Sequence, residues 1–381
     1  EICAFVQQED GIGIMDSVKL DEIHQRYMEW SNQGIRVLGV AQKKVKQKEK
    51  YVVEDEEQMT FVGFLLLFDH PKEDVAKTIS DLANNGIGLR IITGDNKMIA
   101  MHTAACVGLE ITGVITGSEL IKMSEQVLWG NIENTNLFAE VDPNQKERII
   151  LALKKHVHVV GYMGDGINDV PALHAADVSI SVDNAVDVAK ESADFVLMEK
   201  SLEVLNRGIE LGRTTFANTL KYIFVTTSAN FGNMFSMAGA SMLMPFLPLL
   251  PKQILLLNFL TDFPAITIAN DAVDGEVLKK PRRWDIKLIR NFMFTFGLLS
   301  SVFDYITFAV LLIIFEASEG IFQSGWFVLS ILTELLTLLV MRTQRPFFKS
   351  KPAPILTYTS LVVAILTLAI PYLPISYIMN I

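Results

Sequence analysis

Two carboxylates and an amide lie close together in one glycine-rich turn, Gly164-Asp165-Gly166-Ile167-Asn168-Asp169, which follows the apolar segment 157–162. Oxygen ligands of this kind suit Mg²⁺, which in proteins usually also contacts a phosphate. The glycines allow the backbone to approach an anion closely. We expect Asp165, Asn168 and Asp169 to form a magnesium and phosphate site, and an ordinary Asp-Gly-Asn turn is the alternative.

A second candidate, Thr93-Gly94-Asp95, follows an apolar segment at 89–92 and precedes a predicted helix that ends at Cys106. A hydroxyl and backbone N–H groups at a helix start can bind an anion. Thr and Asp also serve there as ordinary helix caps. Lys146 could neutralise phosphate charge, and a surface lysine is the alternative.

These candidates lie where strand-like and helix-like segments alternate. The predicted strands are 61–68 (a buried parallel strand), 89–92, 157–162, 178–181 and 195–198, and the predicted helices include 74–85, ending at Gly86, and 148–155. Such alternation indicates an α/β fold with a parallel sheet. Ligands bind beyond the carboxyl ends of such strands, which is where both turns lie.

Composition excludes several classes of protein. The 381 residues carry a net charge of −10, half of them are hydrophobic, and two are cysteines. These values argue against a disordered chain, a disulfide scaffold and a nucleic-acid partner. The charged segment 42–58 either separates a small N-terminal piece from the α/β domain or forms a solvated hairpin within one domain.

Five long apolar segments follow residue 213, at about 216–243, 252–270, 291–315, 326–341 and 354–373. Each is near the roughly 20 residues that a membrane-spanning helix needs. Basic residues are concentrated in the loops 274–290 and 342–351, and basic loops face the cytoplasm. We therefore expect an all-α transmembrane helix bundle, embedded in a lipid bilayer, with residues 1–213 in the cytoplasm.

Polar side chains inside these spans are costly and often functional. The candidates for binding a transported cation are Asn230, Asn233, Asn258, Thr261, Asp262 and Glu334. Their oxygens suit Mg²⁺ or Ca²⁺, and Pro264 is expected to open its helix and free carbonyl groups for an ion. Interhelical hydrogen bonding is the alternative, and it explains Asp304, in the third span, at least as well.

The cytosolic motifs together resemble a known family. Thr93-Gly94-Asp95, Asp142-Pro143-Asn144-Gln145-Lys146 and the turn at Asp165 are similar to the TGD, DPxQK and GDGxND motifs of P-type ATPases, which are haloacid-dehalogenase-type (HAD-like) phosphotransferases. The resemblance implies a HAD-like phosphorylation domain with ATP and Mg²⁺ as cofactors. It implies that Lys146 and Thr93 hold phosphoryl oxygens, and that Asp165 binds the catalytic Mg²⁺ with support from Asn168 and Asp169.

Other segments extend the resemblance. Gly34–Ala41 is similar to the end of the family's nucleotide-binding domain, which implies that Arg36 contacts ATP, and Asp69-His70-Pro71-Lys72 resembles its DPPR stretch. Asn258–Asp262 resembles the NxxTD helix of cation pumps. Asn230–Asn233 resembles the preceding helix, where calcium pumps carry Glu in place of Asn233. Four segments resemble bacterial magnesium-transporting P-type ATPases of the inner membrane: Ser228–Gly232, Leu278–Asp285, Gln323–Phe327 and Met341–Gln344.

The resemblance implies a division into the end of a nucleotide-binding domain (1–52), a phosphorylation domain (53–212) and a transmembrane domain (213–381). The family's phosphorylated aspartate lies in DKTGT, which does not occur here. We expect a C-terminal part of a Mg²⁺-importing pump, inactive alone, whose nucleophile belongs to an upstream part of the same protein; a complete mature chain is the alternative. Three rivals stay open: a Ca²⁺ or other cation pump, a non-catalytic membrane module, and a membrane-tethered phosphatase.

Overall fold

The computed structural model describes residues 2–8, 11–45, 50–68, 71–72, 74–156, 159–199, 201–279 and 281–381. The chain forms two compact units, residues 1–207 and 208–381. The predicted DPPR-like stretch at 69–72 and the predicted strand at 157–162 lie partly outside the described residues.

The first unit opens with a mixed four-stranded sheet. Its strands are β1 (Cys3–Gln8), β2 (Gly11–Ile14), β3 (Arg36–Gln42) and β4 (Met59–Leu67), in the order β2-β1-β4-β3, and helix α1 (Ser17–Asn32) lies between β2 and β3 in the chain. Strands β3 and β4 pair antiparallel. The charged segment 42–58 therefore joins two neighbouring strands of one sheet, as in the hairpin alternative.

The predicted strand at 61–68 corresponds to β4, which pairs parallel with one neighbour as predicted but is not fully buried. β4 pairs parallel with β1 and antiparallel with β3, rather than joining the phosphorylation-domain strands. The side chains of Leu65, Leu66 and Leu67 are exposed. A continuous apolar run indicates a strand but does not reveal which sheet the strand joins. The predicted boundary at 52/53 thus falls within the residues that build this sheet.

Two three-stranded parallel sheets follow. The first contains β5 (Ile91–Ile92), β6 (Val114–Thr116) and β7 (Leu137–Ala139) in the order β5-β7-β6; the second contains β8 (Gly161–Met163), β9 (Val178–Val182) and β10 (Phe195–Leu197) in the order β10-β9-β8. The accompanying helices are α2 (Val75–Asn84), α3 (Lys97–Cys106), α4 (Gly117–Lys122), α5 (Glu125–Ile132), α6 (Pro143–Lys155), α7 (Val170–Ala175) and α8 (Asp187–Glu191). Every strand pair in these two sheets is parallel, which confirms the predicted α/β class.

Helix α6 begins at Pro143, earlier than the predicted start at Arg148. The Asp142 side chain accepts from the Gln145 backbone N–H at 2.9 Å, and the Gln145 side chain accepts from the Asp142 N–H at 3.0 Å. This capping box, with proline in the first turn, is a readable helix-start signal. Lys146 therefore lies in the first turns of a helix instead of in a loop.

The second unit is helical. Its helices are α9 (Leu202–Leu243, which begins in the first unit), α10 (Pro251–Thr267), α11 (Gly275–Leu278), α12 (Ile286–Ala309), α13 (Glu319–Met341), α14 (Pro354–Ala369) and α15 (Ile375–Met379). Among the described residues, three segments are long and apolar enough to cross a membrane: Ile286–Ile314, Glu319–Met341 and Pro354–Tyr372. The predicted spans near 216–243 and 252–270 fall on α9 and α10 and stay predictions.

Two features of these helices differ from expectation. Helix α9 has 42 residues, which gives it a length of about 63 Å, and it begins well before the apolar segment predicted at about 216–243. Helix α10 continues through Pro264 to Thr267, so the predicted opening of this helix was wrong. One missing N–H does not unwind a helix that is packed on both sides of the proline, here through the buried residues Leu260 and Ala265.

Candidate functional site

Lys146 and Asp169 form the centre of the cytosolic site. The Lys146 ammonium group donates a hydrogen bond of 2.7 Å to Oδ1 of Asp169, and the side chains are 13% and 11% exposed. The Tyr162 hydroxyl donates to the same oxygen at 2.7 Å, and the Gly166 backbone N–H donates to Oδ2 at 3.1 Å. Both carboxylate oxygens of Asp169 therefore already accept hydrogen bonds from protein donors.

These contacts set the charge of the site. Burial raises the pKa of Asp169, but the hydrogen bonds from Lys146, Tyr162 and Gly166 outweigh burial, and the pKa lies below its ordinary value. Burial, together with the hydrogen bond to Asp169, raises the pKa of Tyr162, so its phenol stays a neutral donor at physiological pH. Asp169 is thus an ionised anchor that holds Lys146 in place.

The backbone of the acidic turn is fixed against strand β9. A Cβ atom on Gly164 would lie 2.4 Å from Cβ of Asp169, so a side chain there would force the turn to shift. The Gly164 N–H donates to the Ile180 carbonyl at 3.1 Å, and the Ser181 hydroxyl donates to the Gly164 carbonyl at 3.0 Å. Asp165 and Asn168 present exposed side chains on this fixed turn.

The Thr93-Gly94-Asp95 turn follows β5 and is internally hydrogen-bonded. The Asp95 N–H donates to the Thr93 hydroxyl oxygen at 3.1 Å, and that hydroxyl donates to Oδ2 of Asp95 at 3.1 Å. Asp95 also pairs with the guanidinium group of Arg36, which is 60% exposed and lies on β3. The structure therefore brings Arg36, predicted only from family resemblance, to the Thr93 motif.

The two motifs share a structural setting. Thr93 follows β5 and Asp165 follows β8, and each of these strands is at the edge of its sheet. Ile92 is the last residue of β5, and Tyr162 lies within β8. Both belong to or pack against one hydrophobic core, which also contains Phe138 and Ile149. Both motifs thus extend from the carboxyl ends of parallel strands over a common core, which is where α/β proteins bind ligands.

The residues predicted to form the cytosolic magnesium site differ in how well they could bind Mg²⁺. Asp165 and Asn168 offer an exposed carboxylate and an exposed amide oxygen, whereas the oxygens of Asp169 are taken by Lys146, Tyr162 and Gly166. Within the described parts of the chain, no group of three or more His, Cys, Asp or Glu side chains could hold a metal ion. Asp165 and Asn168 therefore fit a cation whose remaining ligands come from water, from substrate or from outside this chain.

A polar cavity of about 130 Å³ lies within the helical unit. Its lining includes Thr226, Asn230, Asn258, Thr261, Asp262 and Glu334, with Val225, Ala265, Leu335 and Leu338 as apolar neighbours. Five of the six residues predicted to bind a transported cation are in this lining. The sixth, Asn233, interacts with the Glu334 carboxyl group, as does Thr261.

Glu334 and Asp262 differ in their surroundings. Oε2 of Glu334 is buried and has no hydrogen-bond partner in the described part of the chain, so an oxygen that could serve as a ligand points into protein. Asn230, Asn258 and Asp262 are exposed. Helical spacing predicts that such residues share a face of a helix, but it does not give the depth at which that face is buried.

Sequence reasoning missed some residues. Thr226 lies one helical turn before Asn230 on α9, and that spacing was a usable signal. Tyr162 gave no such signal, because the sequence does not distinguish a tyrosine that contacts a functional site from one that only packs in the hydrophobic core. Asp271 was also missed: its buried carboxylate pairs with Lys221 at 2.8 Å and with Arg342 at 3.0 Å. The sequence places Arg342 in a basic loop and in the family-like segment Met341–Gln344, and neither observation predicts this ion pair.

Comparison with known proteins matches both units. Residues 7–177 match the haloacid dehalogenase-like hydrolase family, and residues 246–381 match the cation transporting ATPase C-terminus family. The "Magnesium-transporting ATPase, P-type 1" of Escherichia coli strain K12 is 42% identical over 98% of this chain and 42% of its own length. The protein of the same name from Salmonella typhimurium strain 14028s is 41% identical over the same shares.

A more distant relative is the "Calcium-transporting ATPase 1" of Bacillus cereus, 32% identical over 74% of this chain and 32% of its own length. The chain spans about 42% of the length of the magnesium-transporting relatives that it matches. The similarity to them runs through the phosphorylation-type motifs and the polar helices alike. The chain belongs to the P-type ATPase family.

Proposed function

We propose that this chain is part of an ATP-driven pump that imports Mg²⁺ across the bacterial inner membrane through an aspartyl-phosphate intermediate. The observation that carries the proposal is the Glu334 cavity, a small oxygen-lined space inside a helical unit, where one buried carboxylate oxygen has no hydrogen-bond partner among the described residues. Buried carboxylates in membrane helices mark ion pathways. The same chain carries the Lys146–Asp169 pair and the Thr93 turn, to which we assign phosphoryl binding, so the proposed phosphoryl site and the proposed cation site belong to one polypeptide.

In the proposed reaction, an aspartate oxygen from a part of the full protein outside this chain attacks the γ-phosphorus of ATP, and the bond to the ADP oxygen breaks. Lys146, held by Asp169, neutralises charge on the transferred group. The Thr93 hydroxyl and the neighbouring N–H groups bind its oxygens, and Arg36 contacts the nucleotide. Asp165 and Asn168 would hold the catalytic Mg²⁺, which supplies further charge neutralisation when bound.

For the transported cation we propose ligands from Asn230, Asn233, Asn258, Thr261, Asp262 and Glu334. The set is made only of oxygens, which suits a hard divalent ion. Asn233 stands where the resemblance places a glutamate in calcium pumps, and a site with fewer carboxylates favours one Mg²⁺ over two Ca²⁺. The similarity to magnesium-transporting relatives, stronger than that to the calcium-transporting one, supports the same choice.

The test is transport by the full-length protein reconstituted in vesicles. We expect ATP-dependent movement of Mg²⁺ that is abolished by Asp165→Asn, and no comparable movement of Ca²⁺. Movement of Ca²⁺ in place of Mg²⁺ would select the calcium-pump alternative. Absence of any ATP-dependent cation movement, with the nucleotide still bound, would select a non-catalytic membrane module.

A further inference from the structure

Asp304 lies in the membrane part of the molecule, outside the cation cavity. It belongs to α12, its residue is 7% exposed, and its two oxygens accept hydrogen bonds from two other helices. The Ser236 hydroxyl of α9 donates to Oδ2 at 2.6 Å, and the Trp326 indole N–H of α13 donates to Oδ1 at 3.1 Å. Asp304 thus joins three helices at a single buried carboxyl group.

Close packing of α9 and α12 permits this contact. A Cβ atom on Gly232 would lie 3.0 Å from the Gly297 carbonyl oxygen, so the helices approach backbone to backbone. The Ser301 hydroxyl bridges the same place by donating to the Gly232 carbonyl at 3.1 Å. Ser236 lies one turn further along α9, opposite Asp304.

A row of polar side chains links Asp304 with the cavity. On α13, Trp326, Ser330 and Glu334 follow at intervals of one helical turn, and on α9 Asn233 lies one turn before Ser236. The Ser330 hydroxyl donates to Oδ1 of Asn233 at 3.4 Å, and Asn233 interacts with Glu334. Trp326, which donates to Asp304, therefore lies eight residues of α13, about 12 Å along the helix, from Glu334 in the lining of the cavity.

The surroundings of Asp304 suit a proton better than a metal ion. Among the described residues, the groups acting on its carboxyl are the Ser236 hydroxyl and the Trp326 N–H, neither of which is charged. The neighbouring Tyr305 directs its hydroxyl away, to the Phe235 carbonyl at 3.1 Å. A single carboxylate with both oxygens occupied by donors is a poor divalent-metal site, whereas a hydroxyl partner can change from donor to acceptor.

We propose that Asp304 is a proton-carrying site that exchanges a proton during the transport cycle, in the direction opposite to the cation. When a proton binds Oδ2, the carboxyl O–H donates to the Ser236 oxygen and the serine hydroxyl turns to another acceptor. The Trp326 bond to Oδ1 is kept in both states. In the predicted topology Asp304 lies on the outer side of the cavity. This inference rests on the proposed pump function.

The first test measures proton and Mg²⁺ movement together in vesicles that contain the full-length protein and a pH-sensitive dye. We expect the wild type to move protons against Mg²⁺, and Asp304→Asn to keep Mg²⁺ transport but lose the accompanying proton movement. Asparagine can still accept from Trp326 and donate to Ser236, so the helix contacts are retained. Ser301→Ala is the matched control, since it removes another buried hydroxyl from α12, and it should leave the proton-to-Mg²⁺ ratio unchanged.

Equal proton movement by wild type and Asp304→Asn, or none by a wild type that transports Mg²⁺, overturns the inference. A second readout does not depend on transport: infrared difference spectra between cation-free and cation-bound protein should contain a carboxylic-acid C=O band that Asp304→Asn removes. If the full protein moves no Mg²⁺, the proposed function fails, and this band alone then decides whether Asp304 carries a proton. A spectrum unchanged by the substitution rejects it.

Discussion

The ammonium group of Lys146, on α6, donates a 2.7 Å hydrogen bond to Oδ1 of Asp169, which lies 23 positions later in the turn after β8. Two motifs that are separate in sequence are thus one unit in the fold. Asp169, which the sequence predicted as part of the magnesium site, holds the lysine in this fold. The side chains of Asp165 and Asn168, in the same turn, are exposed.

Replacing Asp169 by Asn should leave Lys146 in the protein but remove the carboxylate that holds its ammonium group in position. The amide cannot accept from Lys146, Tyr162 and Gly166 together, and one buried donor left unsatisfied costs about 1–3 kcal/mol. We expect the full-length protein to form phosphoenzyme from ATP at least about tenfold more slowly, because a rise of about 1.4 kcal/mol in the activation free energy lowers the rate about tenfold. Tyr162→Phe, which removes a single donor, is the milder companion. Phosphorylation at the wild-type rate in Asp169→Asn would show that the pair has no catalytic importance.

The lowered pKa of Asp169 predicts an acid-side loss of stability. A carboxylate with a depressed pKa in the folded state stabilises the fold above its unfolded-state pKa of about 4, and this contribution disappears as pH falls through the folded-state value. The difference in unfolding free energy between wild type and Asp169→Asn should therefore be constant near neutral pH and shrink below about pH 4. Urea unfolding of the detergent-solubilised chain at a series of pH values measures it.

The control for this titration is Asp187→Asn. Asp187 has a carboxylate that is 90% exposed and pairs with Lys190 at 3.1 Å, so its removal should change stability little at any pH. A difference between wild type and Asp169→Asn that grows as the pH falls would contradict the assignment of Asp169 as the ionised anchor.

Arg342 should matter far more to stability than the nearby Arg345. Arg342 and Asp271 form a buried pair with side chains 1% and 0% exposed, and Lys221 and the Ala353 N–H also contact that carboxylate. Removing one partner of a buried pair costs about 3–5 kcal/mol. With Lys221 still present, we expect Arg342→Ala to cost near the lower end of that range in thermal unfolding in detergent.

Arg345→Ala is the matched control for this cluster. Its pair with Glu276 has side chains 41% and 71% exposed, and exposed pairs contribute about 0–1 kcal/mol. Equal destabilisation by the two substitutions would mean that the Asp271 cluster does not hold the ends of α10 and α13 together.

The cation cavity predicts a third contrast, between Glu334 and its neighbour Thr333. Glu334→Gln replaces the carboxyl group whose buried oxygen has no partner in the described part of the chain, and we expect the Mg²⁺ concentration for half-maximal transport to rise at least about tenfold, the equivalent of about 1.4 kcal/mol. Thr333 is exposed and its hydroxyl bonds to the Leu329 carbonyl of its own helix at 2.8 Å. Thr333→Ala should leave transport unchanged; an equal effect of both changes would place the cation elsewhere.

The sequence predicted these sites unevenly, for physical reasons. Motif residues at strand ends, such as Thr93 and Asp165, are readable because turn chemistry and strand periodicity are local. The sheet to which β4 belongs was not readable, because pairing with β1 and β3 is set by distant residues. The contact between Arg36 and Asp95 was likewise not predictable from spacing in the chain, because the two residues are far apart in sequence. This is also true of the contacts that Ser236 and Trp326 make with Asp304.

Pro264 is a position where a local sequence rule gave a wrong prediction. Its effect on α10 was predicted from a local rule, the missing N–H, and packing of the surrounding residues overrode it. Local rules explain the helix starts at Asn96 and Asp142, where the capping side chain and the backbone N–H that donates to it lie within one turn, although the second start was predicted too late, at Arg148. They were unreliable where tertiary contacts decide the outcome.

The central claim, that the Glu334 cavity and the Lys146–Asp169 site act in one cycle, is tested most directly by ATP hydrolysis in the full-length Glu334→Gln variant. The substitution lies in the helical unit, whereas Lys146 and Asp169 belong to the first unit. We predict that Mg²⁺-dependent ATP turnover falls at least about tenfold while nucleotide binding stays at the wild-type level. Turnover at the wild-type rate, with Mg²⁺ transport lost or kept, would contradict the coupling of the two sites.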